Sequence, residues 1–376
     1  LVTGMLTARE FHTQFVSASI VYQSGSTKFG DTFDDRHEFT GSISVSGSGG
    51  HDISLSSNDP GTSNTIFGKN AAKFIDAGSN YNVFIGEDVS DAVMSTAIKN
   101  VGVGYQALSA LTSGDANSII GYKSGIVLTS GTSNTAVGYQ SLNAAVDVDR
   151  TVAIGDGALG GGNLTSDADG TIAIGYSAGY NITSGIGNTA IGYQALNAEN
   201  DGDHNTAVGY QTLTAQEGTS GIAANTAVGY QAGVVMTSGI QNTLVGASAG
   251  DSITTANSCT LIGVDAGEAI TVSGAGADGA VAVGFSALAA LTSGQHNTAV
   301  GYQAGMTLST EHYNVFVGYN AGKLNNGSYN TVLGYGAMDA ANGSESSMIA
   351  IGRDALGNMD NNSSSQNIAI GDSAGD

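Results

Sequence analysis

Tryptophan is absent from this chain, proline occurs once, at Pro60, and cysteine once, at Cys259. A single cysteine excludes an intramolecular disulfide framework. Standing where its repeat elsewhere carries asparagine, it is expected to be a buried, inert thiol. Basic residues are scarce: ten Lys and Arg stand against 32 Asp and Glu, a formal net charge of −22. That balance argues against nucleic acid or an anionic membrane as a direct partner and favours solubility of a long particle. Charged residues make up only 11% of the chain, about half the usual share. Long apolar runs are missing as well. The longest, Ala280 to Leu291, is interrupted by Gly284 and Ser286 and is too short to cross a bilayer, so no membrane insertion is expected. No secretory leader is visible; the chain starts at Leu1 and stops just after a repeat, so both ends are expected to be cut ends.

The residues of common catalytic and metal sites are present but scattered. His12, His37, His51, His204, His296 and His312 include no pair at metal-ligand spacing with a second His or Cys. Asp34, Asp35, Arg36, His37 and Glu38 form a charged patch that is expected to be a solvated turn or an intersubunit contact. Glycine-rich triplets lack the strand–GxxxxGK[ST]–helix context of a phosphate loop, and the calcium-winding nonapeptide is absent. Asp147, Asp149, Asp167, Asp169, Asp201 and Asp203 could hold calcium only adventitiously. No catalytic, cofactor-binding or metal residue is nominated, and an enzyme is not expected.

What the chain has in abundance is glycine, 57 residues without a collagen-like period, and a repeat. The heptapeptide NTAVGYQ at Asn134–Gln140 returns at Asn205–Gln211, Asn225–Gln231 and Asn297–Gln303. Aligned on its glycine, from Gly68 to Gly371, it occurs in eighteen copies, mostly 17 residues apart. The residue before each glycine is large and apolar (Phe67, Val137, Ile191, Val300, Leu333). Three before is usually Thr, Val or Ile (Thr135, Val152, Ile172). Two before is most often alanine (Ala136, Ala190, Ala227), and four before is usually asparagine (Asn134, Asn188, Asn242).

These apolar runs are too short for helices, and β-branched residues alternating with small ones suit strands. The pattern predicts an all-β fold: a β-solenoid of about eighteen coils at 51–376, roughly 85 Å long at the usual strand spacing, preceded by a connector unit at 1–50. In the connector, Thr7–Phe15 is expected to be a short capped helix, and Ala18–Gln23 and Ile43–Val45 strands. The Val and Ile positions are expected to fill the lumen, with the asparagines as a hydrogen-bonded ladder. The alanines are then expected on the outside, packed against a sister chain in a parallel homotrimer. Tyrosines after the glycine, Tyr193 and Tyr210 among them, are expected to pack as a corner ladder, with stacking on sugars as the alternative. Thr135, Thr189, Thr206, Thr226 and Thr243 resemble the hydroxyl array of an ice-binding solenoid, but sharing a face with Val and Ile places them in the lumen. Gaps of 20, 20 and 21 residues recur at every third copy between Gly155 and Gly284. Either each copy is one coil with an occasional longer turn, or three copies make one wide coil, which would set Val137 beside Ile191.

The segment FVSASIVYQSGSTKFGDTFDDRHEFTGSISVSGS, Phe15–Ser48, resembles the repeated-strand segment of tail fibres from marine and cyanobacterial phages. The NTAVGYQALxxxTSG copies covering Asn64–Asp376 look like the shaft of the same fibres and are similar to the β-roll heads of trimeric autotransporter adhesins. The resemblance implies a trimeric virion fibre that reaches the host surface. Its partners would be its own copies, other fibre or baseplate proteins, and a host glycan or protein. The self-cleaving chaperone domain that ends many such fibres is not seen. A bacterial surface adhesin or filament with the same shaft is the alternative.

Overall fold

A computed structural model describes residues 61–376, apart from 218–220, 272–276, 342, 360–364 and 376. The expectations for the connector at 1–50, its helix, strands and charged patch included, lie outside the described residues. The rest is an all-β parallel solenoid of about 17 turns. Eighteen three-residue strands form one sheet, and no α-helix occurs among the described residues.

Each repeat contributes one strand, and consecutive strands pair in parallel register. Thr135–Val137 pairs with Val152–Ile154, which sets Val137 beside Ile154 rather than beside Ile191. One copy is therefore one coil, and the wide-coil alternative is excluded. The 20- and 21-residue spacings are lengthened turns. One holds a short 3-10 turn at Ser166–Ala168, and another brings Gly221–Ile222 beside Gly202–Asp203. Strand order follows sequence order throughout because a coil of 17 residues can do nothing but stack on its neighbour.

The glycine that ends each strand has φ between +131° and +146° in every coil, a conformation that a side chain strongly disfavours. A Cβ there would also collide with the carbonyl oxygen of the next coil's glycine, as at Gly209 against Gly229. Two independent constraints thus make this the least substitutable position of the repeat.

The lumen is filled differently from expectation. The strand-centre residue points inward: Ala136, Ala190, Ala227 and Ala299 are buried completely. The Val, Ile and Thr on either side face out, and Val137, Ile154, Val228 and Ile262 are among the exposed large apolar residues. The expectation of a valine-filled lumen and an outward alanine face is overturned. Parity explains why: asparagine and alanine lie two residues apart and share a face, so the inward asparagine ladder carries alanine in with it. Size completes the argument. The narrow lumen is already occupied by leucines and isoleucines of the turns, such as Leu108, Leu111, Leu142, Ile182 and Leu196, which leaves room for little more than a methyl group from most strands.

Most exceptions are compensated within the same coil, and some also by the coil before, as at Gly305 against Phe316. Where the strand centre is large (Phe84, Ile119, Leu244, Leu261, Phe316), the position four after the glycine is Ser90, Gly125, Gly250, Gly267 or Gly322. Where that position is Leu142, Leu159, Leu196, Leu213 or Leu288, the strand centre is alanine. A Cβ at Gly322 would lie 2.8 Å from the Phe316 ring, which shows directly that the two share one space.

Inside, the asparagines form the expected ladder. Asn117 Oδ1 accepts from Asn134 N at 3.0 Å, and Asn117 Nδ2 donates to Gly131 O at 2.8 Å. The same pattern runs through Asn82, Asn100, Asn225, Asn242, Asn297 and Asn314. Each buried amide thus closes the corner of its own coil onto the next and leaves no backbone donor there unpaired. Cys259 replaces one rung. Its N still reaches Asn242 Oδ1 at 2.9 Å, and burial pushes its thiol up to about 11.

Candidate interaction surface

Columns of side chains run along the outside of the solenoid, each produced by a fixed position of the repeat, and they group into three surfaces. The first is the outward strand face. Position −1 from the glycine is Val, Ile, Leu or Phe in all eighteen coils, and position −3 is Thr, Ser, Val or Ile. No charged residue interrupts either column, in a chain whose formal net charge is −22. Threonines stand in register over five successive strands: Thr189, Thr206, Thr226, Thr243 and Thr260. Their expected lumen position is therefore also overturned.

The second column follows the glycine. Tyr105, Tyr122 and Tyr139 stack at 5.2–5.3 Å; Tyr176, Tyr193, Tyr210 and Tyr230 at 5.1–5.4 Å; and Phe285, Tyr302, Tyr319 and Tyr335 at 5.0–5.2 Å. The rings are nearly parallel, so each inner ring has its faces covered by its neighbours. The corner ladder expected from the sequence is present. Sugar stacking on the faces of Tyr193 and Tyr210 is sterically closed, because those faces are the ones consumed. Beside this column lies a smaller one that sequence reasoning missed, in which Gln194, Gln211 and Gln231 join amide to amide at 3.1 Å. Its signal was the glutamine two after the glycine, which recurs in fewer coils than the tyrosine but in three successive ones at Gln194, Gln211 and Gln231.

The third column lies at the corner six before the glycine, and it accounts for several aspartates once weighed as calcium ligands. Asp149 Oδ1 accepts from Thr132 N at 2.6 Å, Asp169 Oδ1 from Asp149 N at 2.7 Å, and Asp203 Oδ1 from Ile186 N at 2.8 Å. These carboxylates cap backbone donors of the preceding coil. His312 does the same through Nδ1, which accepts from Gln295 N at 3.0 Å, while His296 stacks on Tyr313. His204, like His296, occupies a left-handed corner just before an asparagine. Asp147, Asp167 and Asp201 are not drawn together with these into one site, and no group of three or more His, Cys, Asp or Glu able to hold a metal occurs among the described residues.

Two acids are buried among the described residues, Glu199 and Glu345. Glu199 occupies a lumen position that is leucine or isoleucine in several other coils, with Oε1 accepting from Gly202 N at 2.7 Å and Asn200 N at 3.0 Å. Burial raises its pKa, partly offset by those amides. Among the described residues no helix is long and apolar enough to cross a membrane. No protein-family model matches the chain, and no curated protein matches it either.

Proposed function

We propose that the chain is the shaft of a homotrimeric fibre, with the outward Val/Ile/Thr face of each chain covered by its sister chains. The supporting observation is the uninterrupted uncharged face: eighteen strands expose apolar side chains in one straight file, and every alternative face carries polar or aromatic corners. A face of this length on an acidic protein is what an obligate partner covers. A second copy, in parallel register, is the partner whose repeat matches rung for rung. The role is mechanical. Continuous strand pairing, the asparagine ladder and a packed lumen give stiffness along the axis. Together with the resemblance of the repeats to fibre shafts, this supports a virion tail fibre that carries host attachment away from the particle.

Sedimentation of the purified chain tests the assembly, with three chains per particle expected; a stable monomer rejects the proposal. Immunogold labelling of the source particles tests the location. Gold on tails supports the tail fibre, and gold on cell envelopes would move the reading to a surface adhesin with the same shaft. The outward threonine column also meets the positional requirement of an ice-binding plane. The two readings part in one assay, because a face covered by sister chains gives no thermal hysteresis.

A further inference from the structure

The column that follows the glycine has a break whose chemistry differs from the rest. Read in order, it runs Lys69, Glu87, Tyr105, Tyr122, Tyr139, Asp156, Tyr176, Tyr193, Tyr210, Tyr230, Ala247, Val264, Phe285, Tyr302, Tyr319, Tyr335, Arg353, Asp372. At each end the charges pair between adjacent coils. Lys69 Nζ meets Glu87 Oε1 at 2.7 Å. Arg353 reaches Asp372 through Nε at 2.8 Å and Nη2 at 2.7 Å, and these bonds hold the Asp372 carboxyl below its usual range. Asp156 is the exception, a lone carboxylate between two tyrosines, exposed and with no side-chain partner among the described residues.

The geometry around it is that of a missing rung. Tyr139 ends one stack and Tyr176 begins the next, and since neighbouring rungs lie 5.2 Å apart, these two rings face each other across about 10 Å. They are 51% and 49% exposed, against 42% for the enclosed Tyr122 and Tyr193. The extra exposure fits a free face on each, turned toward the gap. The short Asp156 side chain forms the floor. Gly157 follows it, where Gln140 and Ser177 stand beside the flanking rings, and the Ser177 hydroxyl and the Tyr180 ring wall that side of the gap, 3.5 and 3.6 Å from where a Cβ of residue 157 would stand.

We propose that this gap is a binding slot for a guanidinium group, the arginine side chain of a partner protein, inserted between Tyr139 and Tyr176 and paired with Asp156. A planar cation suits all three walls: two ring faces attract it, and a carboxylate accepts its paired N–H donors. The chain contains the precedent. Arg353 occupies the rung beyond Tyr335 and is held by a carboxylate one coil away. Lys123 Nζ likewise lies 5.4 Å from the Tyr122 ring. The strongly acidic chain adds long-range attraction for a cationic partner. The other internal break, at Ala247 and Val264, carries no carboxylate in the column itself.

The test is isothermal titration of the intact chain with acetyl-arginine amide, against acetyl-citrulline amide at matched ionic strength. One saturable site per chain is expected, with binding at least about fivefold weaker for citrulline and in Asp156→Asn, because the charge pair is removed. Binding should vanish in Asp156→Tyr, which restores the majority residue of the column and so is compatible with the fold. Arg150, on the same coil as Asp156, could supply the guanidinium from a sister chain, so Arg150→Gln is titrated in parallel. Stronger binding in that variant assigns the natural occupant to a second copy, and unchanged binding assigns it to an outside partner. Binding that survives in Asp156→Tyr, or no saturable binding in either the wild type or Arg150→Gln, overturns the proposal.

Discussion

The inward and outward faces of one strand make opposite demands on the same substitution, and Thr226–Val228 allows both to be measured. Ala227 is fully buried and Val228 is 37% exposed, with Val208 and Val245 level with it in the adjacent coils. Covering the exposed part of such a side chain contributes about 0.5–1 kcal/mol, taking about 1.5–3 kcal/mol for complete burial. Repeated over eighteen rungs, that is roughly 9–18 kcal/mol per chain from one column, enough to offset an association cost of about 4–15 kcal/mol. Val228→Asp would bring like charges together around the axis and leave each desolvated without a partner, at several kcal/mol per chain. It should therefore shift the assembly toward monomer while leaving each solenoid folded. Ala227→Asp places the carboxylate in the lumen instead, and should lower the melting temperature or abolish folding. Light scattering after gel filtration reads the first effect and far-ultraviolet circular dichroism the second. If Val228→Asp unfolds the chain and Ala227→Asp is tolerated, the assignment of faces is wrong. If Val228→Asp remains trimeric, the interface lies elsewhere.

Three further outcomes follow from the lumen. Asn117→Ala strands the N–H of Asn134 and the carbonyl of Gly131, so a loss of about 2–5 kcal/mol is expected in denaturant melts. Cys259 should react with a disulfide reagent only after unfolding. Because burial raises its folded pKa from 9.0 to about 11, the unfolded chain releases the proton first, and stability should fall by roughly 3 kcal/mol between pH 9 and 11; Cys259→Ser should remove that alkaline limb. Leu142→Gly should cost about 2–4 kcal/mol through its cavity, and adding Ala136→Ile, which copies the Ile119/Gly125 pair of the preceding coil, should recover at least half in thermal melts.

The repeat made the architecture legible. Asn134, Ala136 and Gly138 recur at fixed offsets, and fixed offsets in short apolar runs admit few folds other than stacked coils. The tyrosine column and the asparagine ladder followed for the same reason, since identical residues at identical positions must lie level with one another. The direction of the strand face was misjudged because side-chain size was weighed above parity. Val137 looks like core and Ala136 like a contact surface until Asn134 is required to point inward with Ala136. Corner aspartates such as Asp149 were unreadable as caps, because their acceptor role depends on a backbone N–H in the coil before, 17 residues away. The pairing of Phe316 with Gly322 was visible in the letters but meaningless until both were known to share the lumen.

In three coils both ladders lose their rung at once, and these coils say how the solenoid accommodates some of its irregular turns. In the coil of Gly155 the asparagine position is Thr151 and the ring position Asp156; in that of Gly263 they are Cys259 and Val264; in that of Gly352 they are Met348 and Arg353. These three coils are followed by spacings of 20, 21 and 19 residues to the next glycine. A lengthened turn displaces the side chains at its corner relative to the coil beyond, and a ladder rung has value only when its neighbour is level. The turn after Gly209 is the exception: it is also 20 residues long, yet Asn205 and Tyr210 keep both rungs across it, so a lengthened turn permits the loss of rungs without requiring it. A chain of coils that contact only their neighbours has a stability set rung by rung, so opening should be easiest at these joints. The amides of Val152–Ile154, beside the joint, are accordingly expected to exchange with solvent hydrogen about tenfold faster than those of Ser118–Ile120, which has asparagine rungs on both sides. Equal protection across both strands would mean that the ladders contribute nothing local and that only the continuous sheet holds the coils together.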